Sequence, residues 1–145
     1  MTSSAAAEGA DAIRTVLVYS DDEAVRERIE LAVGRRPASD VGRLEYVEAA
    51  TEPDVIATVD AGGVDLCILD GEAWPAGGMG ISRQLKNEIA DCPAIIVVLG
   101  RRDDRWLATW SQCDATLAHP LDAVEAADVV ADVLRRRAGR LPTAR

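Results

Sequence analysis

The sequence predicts an α/β fold, a parallel sheet covered by helices on both faces, on three observations. The run Val64-Asp65-Leu66-Cys67-Ile68-Leu69-Asp70 is almost continuously apolar and bounded by glycines, which is how a strand buried on both faces reads. Four other strand-like stretches alternate with segments of helical spacing, and that alternation calls for parallel strands joined by right-handed crossovers. Finally, four of the strand ends carry polar or special residues: Asp21 and Asp22, Asp70, Gly100, and His119-Pro120. Ligands of open parallel sheets bind beyond the carboxyl ends of the strands, so these ends mark one site at one edge.

Each element follows from local pattern. Thr15 to Ser20 is the first strand, and Val25, Ile29, Ala32 and Val33 then fall at helical spacing, with Asp21 or Asp22 able to cap the helix and Gly34 near its end. Leu44 to Ala50 alternates as a second strand. A short helix carries Val55, Ile56 and Val59 and is closed by Gly62-Gly63. Beyond Asp70 a long loop with Pro75 and Gly77-Gly78 leads to a third helix with Ile81, Leu85 and Ile89 on one face. Ala94 to Leu99 is the fourth strand. A fourth helix is predicted from about Asp103 to Cys113, with Trp106 and Trp110 one turn apart on the same face. Ala115 to Leu121 is the fifth strand, and from Asp122 a last helix reaches Arg137, with Val130, Val133 and Leu134 toward the sheet. Its closing Arg135-Arg136-Arg137 suits the negative end of a helix dipole. Five strand-helix units of this kind predict a flavodoxin-like (βα)5 doubly wound parallel sheet of strand order 2-1-3-4-5, which sets the ends of strands one and three side by side. The domain is expected over residues 13–138, between a disordered tail at 1–12 and a second tail at 139–145.

Composition bounds what the domain can do. The 145 residues make room for one ordinary domain, and the net charge of -9 argues against a broad nucleic-acid-binding face. No apolar run approaches the roughly 18 residues of a membrane span and the N-terminus lacks a signal-peptide pattern, so a cytoplasmic location without membrane insertion is expected. Three widely spaced cysteines without a C-x-x-C suggest reduced thiols. No Ser-His-Asp order and no glycosidase-type acid pair stands out, and Gly77-Gly78-Met79-Gly80 lacks the spacing of a phosphate loop. A non-enzymatic role is expected.

With this order of elements in place, the chain from Thr15 to about Arg137 resembles the receiver (CheY-like) domain of bacterial two-component response regulators, and is similar to the small single-domain orphan receivers of actinobacteria. Registering Val16-Leu17-Val18-Tyr19-Ser20-Asp21-Asp22 and Arg26 on the family pattern places Ser20 and Asp21 at its acidic pair and Asp70 at its phosphoacceptor. The resemblance then implies Mg2+ held by Asp21, Asp70 and the backbone carbonyl of Glu72, because hard oxygen donors suit that ion. Binding should be weak, since Ser20 brings no charge. Leu99 falls where the family has Thr or Ser, Thr116 where it has the switch aromatic, and His119 where it has lysine, with Pro120 in place. Leucine cannot bond a phosphoryl oxygen, and histidine is shorter than lysine and largely neutral near pH 7. The chain's only lysine, Lys86, falls in the third helix.

What the resemblance implies for function is a signalling module acting by protein-protein interaction, with weak or no phosphorylation at Asp70 as the favoured mechanism. A working phosphorelay acceptor, phosphorylated on Asp70 with Mg2+, is the alternative. Its implied partners are a histidine kinase and, from the actinobacterial likeness, respiratory NADH dehydrogenase, to which the chain would be an accessory protein. Contact is expected through the surface of helix 4, strand 5 and helix 5, where Trp106 and Trp110 would serve as anchors.

Overall fold

A computed structural model describes residues 12–140. Their elements are β1 (Ile13–Tyr19), α1 (Glu23–Val33), β2 (Arg43–Ala49), α2 (Glu52–Asp60), β3 (Leu66–Asp70), α3 (Gly78–Glu88), β4 (Ala94–Leu99), a 3-10 helix (Arg102–Leu107), α4 (Ala108–Ser111), β5 (Ala115–Ala118) and α5 (Ala123–Arg140). The tails expected at 1–12 and 139–145 fall largely outside the described residues. Where they can be compared, α5 continues through Gly139 to Arg140, two residues beyond the expected end of the domain.

The five strands form one parallel sheet in the order β2-β1-β3-β4-β5. Alternate side chains on the pleat build two apolar layers. Val16, Val18, Ile68, Ile96 and Val98 pack with Ile29 and Val33 of α1 and with Val130, Val133 and Leu134 of α5. On the opposite face Leu17, Tyr19, Cys67, Leu69, Ile95, Val97 and Leu99 pack with Val55 and Val59 of α2 and with Ile81 and Leu85 of α3. Every residue of β3 and β4 is buried, which accounts for their unbroken apolar runs.

Two elements depart from expectation. The segment read as one fourth helix is a 3-10 helix followed by a single α-turn, ended by Gln112 in the left-handed region at φ 62°. Trp106 and Trp110 therefore sit in different helical segments, and the shared face of a continuous α-helix does not apply to them. The fifth strand stops at Ala118, three residues early, because the chain turns away at His119-Pro120, where proline has no N–H to continue a ladder.

Candidate functional site

The end of β3 delivers Asp70, 4% exposed, to the sheet edge beside the end of β1. Its position is fixed from several sides. Gly78, the first residue of α3, packs so closely that a Cβ there would lie 2.8 Å from the Asp70 carbonyl oxygen. Ser20, fully buried, donates from Oγ to Asp70 Oδ2 at 2.8 Å, and the Glu72 amide donates to Oδ1 at 2.8 Å. Both carboxylate oxygens are thus engaged by neutral donors, and Ser20 Oγ in turn accepts from the Asp22 amide at 3.0 Å.

The turn after β1 divides its two carboxylates by role. Asp22 caps α1, accepting from the Ala24 amide at 2.9 Å, so of the two predicted capping candidates it is the one used. Asp21 is exposed and accepts from the Trp74 amide at 3.1 Å, which ties the β1 turn to the loop after β3. That loop is held further by the Tyr19 hydroxyl, which donates to the Ala76 carbonyl. Burial first, and then the charges of Asp21, Glu52 and Asp70, push the Tyr19 phenol above its ordinary value and keep it a donor.

A cleft of about 770 Å³ opens over Asp70, bounded by Glu72 and Gly100, by His119, Pro120 and Leu121, and on the other side by Val25, Arg28, Leu31 and Ala32 of α1. His119 is thereby brought to the site, half-buried, with its backbone amide bonded to the Leu99 carbonyl at 3.0 Å. Leu99 is not brought there: its side chain is 1% exposed in the apolar layer of α2 and α3 and does not line the cleft. The Glu72 side chain instead lies over Gly100, its Cδ 2.9 Å from where a Cβ would stand.

As donors for a divalent ion the residues fit in kind and fall short in number. Asp21, Asp70 and the Glu72 carbonyl are hard oxygen donors of the type magnesium prefers. Among the described residues, however, no three His, Cys, Asp or Glu side chains converge as metal ligands, and the side chain that Ser20 brings against Asp70 is a neutral hydroxyl.

Arg26 is the residue at this edge that carried no assigned role in the sequence. Its Nη1 donates to the Ser20 carbonyl at 2.7 Å and its Nε to Glu48 Oε1 at 2.8 Å. An arginine one turn into an amphipathic helix reads as solvated, and only its pairing across to β2 shows otherwise. The predicted anchors Trp106 and Trp110 are 73% and 52% exposed, away from the core, and the Arg83 guanidinium lies 5.0 Å from the Trp110 ring centroid. Trp74, beside the acidic edge, is 76% exposed as well.

No protein-family model matches the chain. Among solved structures it is similar to a putative response regulator from Chloroflexus aurantiacus, at TM-score 0.72 and 20% identity over 86% of this chain and 99% of that one. It is similar also to a signal receiver domain from Bermanella marisrubri, at TM-score 0.69 and 24% identity over 83% and 97%. A Thermotoga maritima response regulator in complex with Mg2+ and BeF matches at TM-score 0.68 and 20% identity over 83% and 98%. These likenesses establish the fold. A closer relative is a Mycobacterium tuberculosis protein described as an uncharacterized response regulatory protein, found in two strains, which is 52% identical over 120 residues, 83% of this chain and 90% of the relative. With that identity and coverage, joined to the 2-1-3-4-5 sheet and the buried aspartate at the end of β3, the chain belongs to the response-regulator family as a CheY-like receiver domain.

Proposed function

We propose that this receiver acts as a binding module, not an enzyme, in the cytoplasm, and that Asp70 is a weak phosphoacceptor or none. The observation that carries this reading is the company Asp70 keeps: a neutral serine hydroxyl on one oxygen, a histidine across the cleft, and a leucine side chain turned into the core at the end of β4. Phosphoryl transfer is catalysed largely by positioned positive charge and hydrogen-bond donors around the transferred group. Here one hydroxyl and one fixed cation are replaced by groups that cannot do that work. Where Mg2+ is bound, Asp21, Asp70 and the Glu72 carbonyl would hold it, and it would offset the negative charge gathered at Asp70.

Contact with a partner protein is then assigned to the surface around the 3-10 helix, α4, β5 and α5, on the exposure of Trp106 and Trp110. A histidine kinase and respiratory NADH dehydrogenase are the candidate partners. The reading is tested by affinity capture from the native cell with wild type, Trp106→Ala and Asp70→Asn as baits. A partner kept by Asp70→Asn and lost by Trp106→Ala supports it, and the reverse pattern refutes it.

The second reading, a working phosphorelay acceptor, draws on the intact burial and placement of Asp70 and on the Mg2+ and BeF bound by the Thermotoga relative. It predicts that partner binding depends on a phosphodonor.

A further inference from the structure

One guanidinium ties the end of β1 to a pair of acidic side chains between α1 and the edge strand β2. Arg26, with its side chain only 14% exposed, bridges Glu48 Oε1 and the Ser20 carbonyl through different nitrogens. Glu30, one turn further along α1, is half-buried, and its Oε2 is buried without a partner. Burial first, then a hydrogen bond to Glu48 and the charge of Glu48, push the Glu30 carboxyl up to about 7, while Arg26 and Arg35 oppose the rise. Glu48 is held below its ordinary value by the same bond from Glu30 and by Arg26. Of the two acids, Glu30 is therefore the one that favours holding a proton and Glu48 the one that favours the charge.

We infer that Arg26 is a positioning residue, through which the protonation of the Glu30 and Glu48 pair sets the geometry of the Ser20-Asp21 turn beside Asp70. The inference rests on the reading of that turn as part of the receiver site, and adds to it a dependence on pH. While Glu30 holds its proton, the pair carries one negative charge. Arg26 Nε meets that charge at Glu48, and Nη1 is left to hold the Ser20 carbonyl. Once Glu30 ionises, two adjacent carboxylates compete for one guanidinium, and Glu30 stands four residues from Arg26, within reach on the same helix face. The guanidinium is drawn toward Glu30, and the Ser20 carbonyl loses its donor. Ser20 then keeps its amide bond to the Ala49 carbonyl, long at 3.3 Å.

Of the other charged groups on the elements packed against Glu30, Arg35 opposes the rise, Arg135 is paired with Asp40, and Arg14 keeps its Nε buried without a partner. Arg35 comes from the α1–β2 loop and favours ionisation of Glu30. Tyr46 of β2 is kept protonated by its burial, and its hydroxyl donates to the Gly34 carbonyl. Arg14 of β1 lies on the same sheet face as Val16 and Val18, two and four residues along the strand. Arg135 of α5, the remaining element packed on α1, is taken by Asp40 at 2.7 Å.

The test is an NMR titration of the full chain between about pH 5 and pH 8, without metal or phosphodonor, following the Ser20 and Asp21 amides and the Glu30 carboxyl carbon. The expected result is that all three move together near pH 7, that Glu30→Gln freezes both amides at their low-pH positions, and that in Arg26→Lys Glu30 still titrates while the amides no longer follow. His119→Gln, which removes the chain's only histidine, should leave the transition in place. The inference is overturned if Glu30 titrates in the ordinary carboxylate range, if the amides still move in Glu30→Gln, or if their movement disappears with His119. Should Arg26→Lys fail to fold, the near-isosteric Glu30→Gln decides alone. Because nothing is phosphorylated in this experiment, its outcome is independent of whether Asp70 accepts a phosphoryl group.

Discussion

Ser20 Oγ and Asp70 Oδ2 stand 2.8 Å apart, a neutral hydroxyl bonded to the one carboxylate that the whole sheet edge is built to present. In the metal-free protein this contact is favourable, since a hydrogen bond to the ionised form needs no cation to neutralise it.

Ser20→Asp should therefore reverse the balance. Without metal it sets two carboxylates side by side in a buried place and should cost on the order of 2 kcal/mol of stability. With Mg2+ the added donor should restore stability and tighten binding. Thermal melting with and without MgCl2, together with Trp74 fluorescence, reads both effects. Wild type is expected to need millimolar Mg2+, and tight binding by the unmodified protein would contradict the assignment of Ser20 as the missing charge.

Gly78→Ala should disturb the site from behind. A Cβ there meets the Asp70 carbonyl oxygen at 2.8 Å and the Leu69 carbonyl carbon at 2.9 Å, both backbone atoms that cannot rotate away. The expected cost is about 1–3 kcal/mol, the usual range for overpacking. Urea unfolding measures it, and an unchanged midpoint would show that α3 can retreat from β3.

Trp106→Ala should leave stability within about 0.5 kcal/mol of wild type, because the side chain is 73% exposed. Trp110→Ala should cost up to about 1 kcal/mol through the lost Arg83 contact. Binding of a captured partner should fall about thirtyfold or more in either variant, the effect of losing some 2 kcal/mol at an interface anchor. Calorimetric titration beside circular dichroism separates lost contact from lost fold.

Stability should fall as pH rises through neutrality. Glu30 has a folded-state value of about 7 against an ordinary 4.5, so the folded chain binds more protons than the unfolded chain between those values. The contribution is full below the unfolded value and lost as pH climbs through the folded one. Glu48, shifted down, acts with opposite sign at lower pH. In Glu30→Gln the decline near neutrality should flatten, and denaturant midpoints taken across that range are the measurement.

The unbroken apolar runs made β3 and β4 legible, because strands buried on both faces have no polar alternation, while the edge strand β2 was read from its alternation and the strand order from the repeated strand-helix units. Asp70 was legible as the carboxylate that ends the β3 run. The segment after β4 was not. Asp103, Asp104 and Arg105 around Trp106 support helical spacing without deciding between 3-10 and α turns, and Gln112 gives no sign of its left-handed backbone. Leu99 could be placed at the end of β4 from sequence, but which apolar layer it enters depends on strand register. The link from Glu30 and Glu48 through Arg26 to Ser20 joins three elements, and a glutamate in an amphipathic helix looks solvated until β2 is laid beside it.

The most direct test of the account is the intact mass of the protein after incubation with acetyl phosphate and Mg2+. Little or no phosphoryl adduct is predicted for wild type, with a gain in His119→Lys as the fixed cation returns to the cleft. Full conversion of wild type that is abolished in Asp70→Asn would contradict the account, and would show that Ser20, Leu99 and His119 leave phosphoryl transfer intact.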